Sequence, residues 1–151
     1  MDDYIYSQSV HKDFHTVMNY LIKFIRENYG EKYLESFFNN SAAYIYKPLI
    51  NRIHDNGLIE IKKHLEKIFS MENGEFNLSF RENENKLIFE VKKCPAICYM
   101  KDNKIEIDKD FCKYSTEVVN KAIAKECSYN FKVDYNQENG SCIQIFWKEG
   151  K

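Results

Sequence analysis

The sequence predicts an α+β fold in which three N-terminal helices pack on an antiparallel four-stranded sheet, made of two hairpins with one helix between them. Apolar residues recur at helical spacing up to about residue 72, and from Phe76 they alternate with polar residues as in strands. The alternating stretches come in pairs joined by short polar turns, which indicates an antiparallel sheet, and helices grouped at one end are typical of α+β folds. We expect one domain over residues 1–151, with a helical part at about 8–72 and a sheet-plus-helix part at about 75–148.

The helices are predicted from apolar stripes. The first helix covers residues 9–29, ends at Gly30, and carries the stripe Phe14, Met18, Leu21 and Ile25. A longer stripe follows, made of Leu34, Phe38, Ala42, Ile45, Leu49 and Ile53. Because Pro48 lies within this stripe and lacks the amide that would bond to Tyr44, we expect a kink or two abutting helices there. A third helix is predicted over about 58–71, after Asn56-Gly57.

The strands are predicted from alternation. Residues 76–91 form the first hairpin, with a polar turn at 81–85; Pro95 ends the pattern, and 101–104 is expected to be a loop or turn. Asp108 or Asp110 is a suitable N-cap for a helix. The inward residues of that helix are predicted to be Phe111, Ser115, Val118, Ala122 and Ile123. In the last hairpin, around Asn139-Gly140, the alternating residues are Phe131, Val133, Tyr135, Ile143, Ile145 and Trp147.

Composition excludes several classes of function. The chain carries 22 basic and 23 acidic residues with no basic stripe, which argues against nucleic-acid binding and against binding to anionic membranes. No apolar run approaches the ~20 residues that span a bilayer. The start, Met1-Asp2-Asp3-Tyr4, lacks the apolar segment of a secretory signal, so we expect a cytoplasmic protein. Five cysteines, an odd number, are then expected to be reduced thiols.

Three histidines are candidate site residues. His11 and His15 are four residues apart, so on a helix they share one face and could bind one divalent metal ion, such as Zn²⁺ or Mn²⁺. They could equally be structural histidines that hydrogen-bond to neighbouring elements. His64 lies between Ile61 and Ile68 on the buried side of the third predicted helix, as a hydrogen-bonded core residue or as a substrate contact.

Cysteines supply the other candidates. Cys94 leaves a strand just before Pro95, and the adjacent Lys92 and Lys93 could lower the pKa of its thiol; the alternative is a buried apolar residue before a turn. Cys112 is predicted in the first turn of a helix, whose amides would favour a thiolate.

Cys142 begins the last strand, after Gly140-Ser141. The cysteine spacing does not match a zinc ribbon, and the chain has no glycine-rich phosphate loop, so the sequence itself requires no cofactor.

Several short strings together resemble a bacterial family. They are His11-Lys12-Asp13-Phe14-His15, Tyr29-Gly30, Tyr46-Lys47-Pro48-Leu49, Gly57-Leu58, His64, Phe69, Val91-Lys92-Lys93-Cys94-Pro95-Ala96, Cys112 and Gly140-Ser141-Cys142. From about residue 8 to 147 the chain resembles the L-2-amino-thiazoline-4-carboxylic acid hydrolase-like proteins. At the level of architecture only, it is also similar to the four-vinyl-reductase type of small-molecule-binding domain.

The first resemblance implies hydrolysis of a cyclic amidine, in which water adds at the C=N carbon of 2-amino-thiazoline-4-carboxylate and the ring opens to N-carbamoyl-L-cysteine. Such a reaction needs an activated water or thiolate, a proton donor and a cation for the substrate carboxylate. The catalytic candidates are Cys94 as nucleophile or metal ligand, His11 and His15 as base or ligands, and Cys112. The substrate-binding candidates are His64, Lys92, Lys93 and Cys142.

Two other interpretations stay open. The chain could be a non-catalytic module that binds a small molecule in an apolar pocket between helices and sheet. An enzyme should gather His11, His15 and a cysteine at one pocket, whereas a binding module should line its pocket with Phe and Tyr and hold the histidines elsewhere. The third interpretation is a subunit of a homodimer whose interface is an aromatic face.

Overall fold

A computed structural model of the protein describes residues 12–149 and confirms the α+β class. The elements in chain order are α1 (Asp13–Tyr29), α2 (Glu31–Ile45), α3 (Lys47–Asn56), α4 (Ile59–Met71), β1 (Glu75–Arg81), β2 (Lys86–Lys93), α5 (Pro95–Asp102), α6 (Val119–Glu126), β3 (Asn130–Asn136) and β4 (Ser141–Trp147). A π-helical turn, Lys113–Val118, runs directly into α6. The four strands form one antiparallel sheet in the order β1-β2-β4-β3.

The predicted break at Pro48 is confirmed as two abutting helices. α2 ends at Ile45 and α3 begins at Lys47, so that Pro48 lies in the first turn of α3, where its missing amide removes no helical hydrogen bond. Gly30 separates α1 from α2 at a φ of 87°, a left-handed conformation that glycine adopts without strain.

A short helix between the two hairpins was missed by the sequence analysis. α5 begins at Pro95, which we had interpreted as the end of a strand pattern. Proline suits both roles, because its fixed φ is also suited to the first residue of a helix. Cys94 is extended, with φ −72° and ψ 123°, and therefore forms the junction between β2 and α5.

The inward face of β4 also differs from the prediction. Cys142, Gln144 and Phe146 face the core, whereas Ile143 is 45% exposed. The pairing with β3 causes this, because the inward residues Phe131 and Tyr135 of that strand face Phe146 and Cys142. Directly opposed residues in a sheet share one face, so the neighbouring strand determines which alternate set of β4 is buried.

The helix α1 is rotated relative to its predicted stripe. Phe14, predicted to be inward, is 57% exposed, whereas Ile22 is fully buried. Asn19 is also buried and joins α1 to the segment that precedes the π-helical turn. Its Nδ2 donates to the Glu106 carbonyl oxygen at 2.9 Å, and its Oδ1 accepts from the Asp108 amide at 2.7 Å.

The apolar core has two parts. One lies between the sheet and helices α3, α4 and α6, and the other lies among α1, α2, α5 and residues 111–118. The side chains of Cys94 and Val119 pack against both parts. The junction between the two parts is where a cavity remains.

Among residues 12–149, none of the helices combines the length and the apolar character that crossing a lipid bilayer requires.

Candidate functional site

A cavity of about 610 Å³ lies where the two parts of the core meet. Its walls come from all six α-helices, the π-helical turn and β4. Most of its lining is apolar, as in Met18, Leu21, Phe38, Leu65, Phe111 and Phe146. Both the volume and the apolar lining are typical of pockets that bind small molecules.

The pocket reaches the surface between the start of α1 and the end of α2. Phe14 and Ile45 line it and are also 57% and 64% exposed, respectively. Two large apolar side chains therefore form its rim. An apolar ligand entering here would meet an apolar surface before it reached the interior.

An imidazole–carboxylate pair lies on the pocket wall near this rim. His15 Nε2 is 2.6 Å from Glu72 Oε1, and the two side chains are only 14% and 10% exposed. Lys12 Nζ donates to the Glu72 carbonyl oxygen at 3.2 Å, and this hydrogen bond joins the start of α1 to the C-terminal end of α4. The sequence analysis named His15 but missed Glu72, because a glutamate just after a helix resembles any solvated glutamate.

His64 also lines the pocket, on α4. Its ring meets the Tyr46 ring edge-on at a centroid distance of 5.9 Å. Burial, assisted by the nearby charges of Arg52 and Lys67, lowers the pKa of His64 to about 4. The imidazole is therefore neutral at pH 7, and it can donate one hydrogen bond and accept another.

Cys94 lines the same pocket at the β2–α5 junction. Its amide donates to the Gly140 carbonyl oxygen at 2.9 Å. Gly140 has a φ of 74° and lies against Ile97, so a side chain there would be both strained and crowded. Burial raises the pKa of the Cys94 thiol to about 11, although hydrogen bonds from the amides of Ala96 and Ile97 act in the opposite direction.

The predicted lowering of the Cys94 pKa by its neighbouring lysines is not found. Lys92 and Lys93 are exposed, and Lys93 Nζ lies 3.8 Å from Glu75 Oε1. Cys112 lines the pocket too, and burial raises the pKa of its thiol to about 12 rather than lowering it. Both thiols are neutral at physiological pH, so neither is a ready nucleophile.

Lys92 and Cys142 instead line a second, more open groove of about 970 Å³ at one end of the sheet, together with Glu90 and Asp134. Gln144 Nε2 lies 3.5 Å from Cys142 Sγ and connects the two regions, since Gln144 lines the apolar pocket. Within residues 12–149, no Lys or Arg side chain lines that pocket. The predicted cation for a substrate carboxylate therefore lies elsewhere.

The wall formed by the π-helical turn presents polar groups that the sequence analysis missed. Thr116, on this turn, contributes a hydroxyl-bearing side chain to the wall. Asn120 Nδ2 donates to Gln144 Oε1 at 2.8 Å beside it. All three residues line the pocket. π-Helical turns often lie at functional sites, but the sequence has no pattern that distinguishes one from an ordinary helix.

The predicted metal site stays a prediction, because His11 lies outside the described residues. In residues 12–149, no three His, Cys, Asp or Glu side chains converge where they could bind a metal ion. The structure thus brings together His15, His64, Cys94 and Cys112 at one pocket, and it places Lys92, Lys93 and Cys142 outside it.

Comparison with family models, with curated proteins and with solved structures finds no match to this chain. The resemblance to thiazoline-carboxylate hydrolases therefore remains a prediction.

Proposed function

We propose that this protein binds a neutral, mainly apolar small molecule in the pocket between its helices and its sheet, without catalysing a reaction on it. The observation that carries the proposal is the pocket itself, about 610 Å³ in volume and lined mostly by apolar side chains. Pockets of this size and character bury most of the surface of a small ligand.

The charges around the pocket support a neutral ligand. In the described part of the chain, Glu72 is the one carboxylate in the lining, and it already contacts His15. His64 is neutral, as are the thiols of Cys94 and Cys112 at pH 7. An anionic ligand would lose its hydration here without meeting a Lys or Arg, which is costly.

The polar wall supports a ligand with one hydrogen-bonding group. Thr116, Asn120 and Gln144 place polar side chains together in a lining that is otherwise mostly apolar. A hydroxyl or carbonyl of the ligand can form a hydrogen bond with a hydroxyl or amide side chain of this wall. The ligand is then apolar along most of its length and has one polar group near the π-helical turn.

The proposal can be tested with N-phenyl-1-naphthylamine, a neutral apolar probe that fluoresces in apolar surroundings. We expect saturable binding of one probe per chain. Ser41→Phe places a ring at a half-buried position in the pocket lining and should weaken binding at least about tenfold. Asn40→Phe is the matched control, because it adds the same ring on the exposed side of the same helix.

Absence of saturable binding would contradict the proposal, as would equal affinities for the Ser41→Phe and Asn40→Phe variants. Circular dichroism of both variants establishes that a loss of binding is not a loss of fold. If Ser41→Phe does not fold, Met18→Trp on α1 fills the same pocket from another wall.

A second candidate function is hydrolysis of the cyclic amidine. The observation that favours it is the His15–Glu72 pair, since a carboxylate can orient an imidazole to act as a general base toward water. His15 and Cys94 lie on the same pocket, which is the arrangement expected of an enzyme rather than of a binding module, but the raised pKa of the Cys94 thiol and the distant lysines do not agree with the predicted chemistry. In this interpretation His15 activates water, and the role of Cys94 as nucleophile stays a prediction.

The test of hydrolysis is to incubate the purified, reduced protein with 2-amino-thiazoline-4-carboxylate and to follow N-carbamoyl-cysteine by mass spectrometry, with no addition, with chelator, and with Zn²⁺ or Mn²⁺. Turnover that is lost in His15→Gln and kept in His54→Gln, an exposed histidine, would make the protein an enzyme and overturn the non-catalytic proposal. No turnover under any condition would leave binding as the function.

A further inference from the structure

The strand β3 is a free edge of the sheet. The strand order β1-β2-β4-β3 pairs β3 with β4 on one side. In the residues that the structure describes, no further strand pairs with its other side. Such an edge presents unpaired N–H and C=O groups and is a template for another strand.

The sequence of β3 is self-complementary about its centre. The strand reads Asn-Phe-Lys-Val-Asp-Tyr-Asn, with Val133 in the middle. Lys132 and Asp134 flank Val133 on either side, followed outward by the aromatic residues Phe131 and Tyr135 and then by two asparagines. When two copies of this strand pair antiparallel about a two-fold axis at Val133, each Lys132 faces Asp134 of the second copy, and aromatic faces aromatic.

The two charged side chains are available for such pairing. Lys132 and Asp134 are exposed, and neither forms an ion pair within residues 12–149. Lys132 Nζ lies 5.9 Å from the centre of the Trp147 ring on the outer face of the sheet. Opposite charges directly across a strand pair stabilise it, and like charges there destabilise it.

The other edge strand, β1, differs because its charged residues already form ion pairs within the chain. β1 also has opposite charges at its ends, Glu75 and Arg81, but both are used within the chain. Glu75 lies 3.8 Å from Lys93, and Arg81 lies 3.4 Å from Glu84. The pairing of β1 with β2 is also irregular between Glu75 and Phe76. The edge β3 is therefore the better interface.

We propose that β3 is the interface of a two-fold symmetric homodimer, in which two β3 strands pair antiparallel about Val133 and join the two sheets into one sheet of eight strands. This inference is independent of what the pocket binds, because it depends on the outer edge of the sheet.

The test is the molar mass in solution, measured by light scattering and by sedimentation over a range of concentrations. The wild-type protein is expected at twice the chain mass of 18.1 kDa. Lys132→Asp places carboxylate against carboxylate at both symmetric positions, and Asp134→Lys places ammonium against ammonium. Each should weaken the dimer about tenfold. The double variant Lys132→Asp/Asp134→Lys exchanges the two charges and should restore the dimer.

Restoration by the double variant is specific to this register, because no other alignment of the two strands brings positions 132 and 134 together twice. Arg81→Glu on β1 is the control and should leave the dimer unchanged. Four results would overturn the proposal: a monomeric wild type at concentrations up to about 1 mM, a dimer insensitive to the single reversals, a double variant as weak as the single ones, or a dimer that Arg81→Glu dissociates. Circular dichroism verifies the fold of each variant.

Discussion

The two ends of α1 are held by charged groups in contrasting ways. Near its C-terminus, Arg26 donates to both carboxylate oxygens of Asp108, at 2.6 and 2.9 Å, to Asp110 at 2.8 Å and to Glu31 at 3.0 Å. Tyr114, which is fully buried, donates to the same Glu31. Near its N-terminus, the described residues form one ion pair, between His15 and Glu72, and Lys12 Nζ donates to the Glu72 carbonyl oxygen.

The two ends differ in how many hydrogen bonds their charged side chains form and in whether those side chains line the pocket. We call Arg26, Glu31, Asp108, Asp110 and Tyr114 the Arg26 cluster. Its guanidinium donates hydrogen bonds to all three carboxylates, and no member of the cluster lines the pocket. The His15–Glu72 pair has one contact and lies on the pocket wall. A saturated charged cluster away from a cavity anchors the fold, whereas a sparse pair beside a cavity is where a ligand can act.

The largest expected effect comes from breaking the saturated cluster. Arg26→Ala should lower the free energy of unfolding by about 3 kcal/mol, because it leaves Asp108, whose side chain is 7% exposed, without its cationic partner. Chemical denaturation followed by circular dichroism measures this. Probe affinity of the folded variant should not change. The matched control, Arg81→Ala, removes an exposed guanidinium and should cost less than about 0.5 kcal/mol; equal losses would contradict the contrast.

Lowering the pH should reduce the free energy of unfolding by about 2 kcal/mol through His64 in the pocket, with no contribution from the Arg26–Asp108 pair. The pKa of His64 is about 4 in the folded protein and near its ordinary value of 6.5 in the unfolded chain. The unfolded chain therefore binds the proton first, and stability present above pH 6.5 is lost as the pH falls toward 4. Between pH 7 and pH 5 the loss is about 2 kcal/mol. Arg26 and Asp108 keep their charges in this range: although burial acts to raise the pKa of Asp108, hydrogen bonds from Arg26 and the Asp110 amide lower it overall.

Denaturation curves at pH 7 and pH 5 measure this difference in the free energy of unfolding. In His64→Gln the histidine contribution should disappear, whereas His54→Gln, at an exposed position, should keep it. A wild-type loss that persists unchanged in His64→Gln would contradict the assignment of the acid sensitivity to His64.

The contrast also indicates what sequence can predict. Local chemistry predicted the α2–α3 break, since a proline within a helical stripe either kinks the helix or begins a new one. The same residue type did not indicate α5, because Pro95 was interpreted only as the end of a strand, whereas proline is also favourable as the first residue of a helix. On β4 both alternating sets contain apolar residues, and only the pairing with β3 determines that Phe146 is inward and Ile143 outward.

The site was predictable only in part, for a related reason. The sequence indicated His15, His64, Cys94 and Cys112 by residue type, and all four line one pocket. It did not indicate Glu72, which is 57 residues from His15 in the chain and meets it only after α1 and α4 pack. The raised pKa values of the two thiols likewise result from burial by elements that are distant in the chain. The spacing of residues in the sequence does not indicate this burial.

The smallest expected effect on stability comes from the sparse pair. His15→Leu leaves the Glu72 carboxylate, 10% exposed, without its partner and should cost about 1 kcal/mol, less than Arg26→Ala because a single contact is lost. His15→Gln can still donate a hydrogen bond to Glu72 and should cost less than about 0.5 kcal/mol. Unlike Arg26→Ala, His15→Leu should also weaken probe binding, since an unpaired carboxylate retains water at the pocket wall. Denaturation and probe titration of the two variants measure both quantities. If His15→Leu leaves affinity unchanged, the pair at this end of α1 anchors the fold just as the Arg26 cluster does.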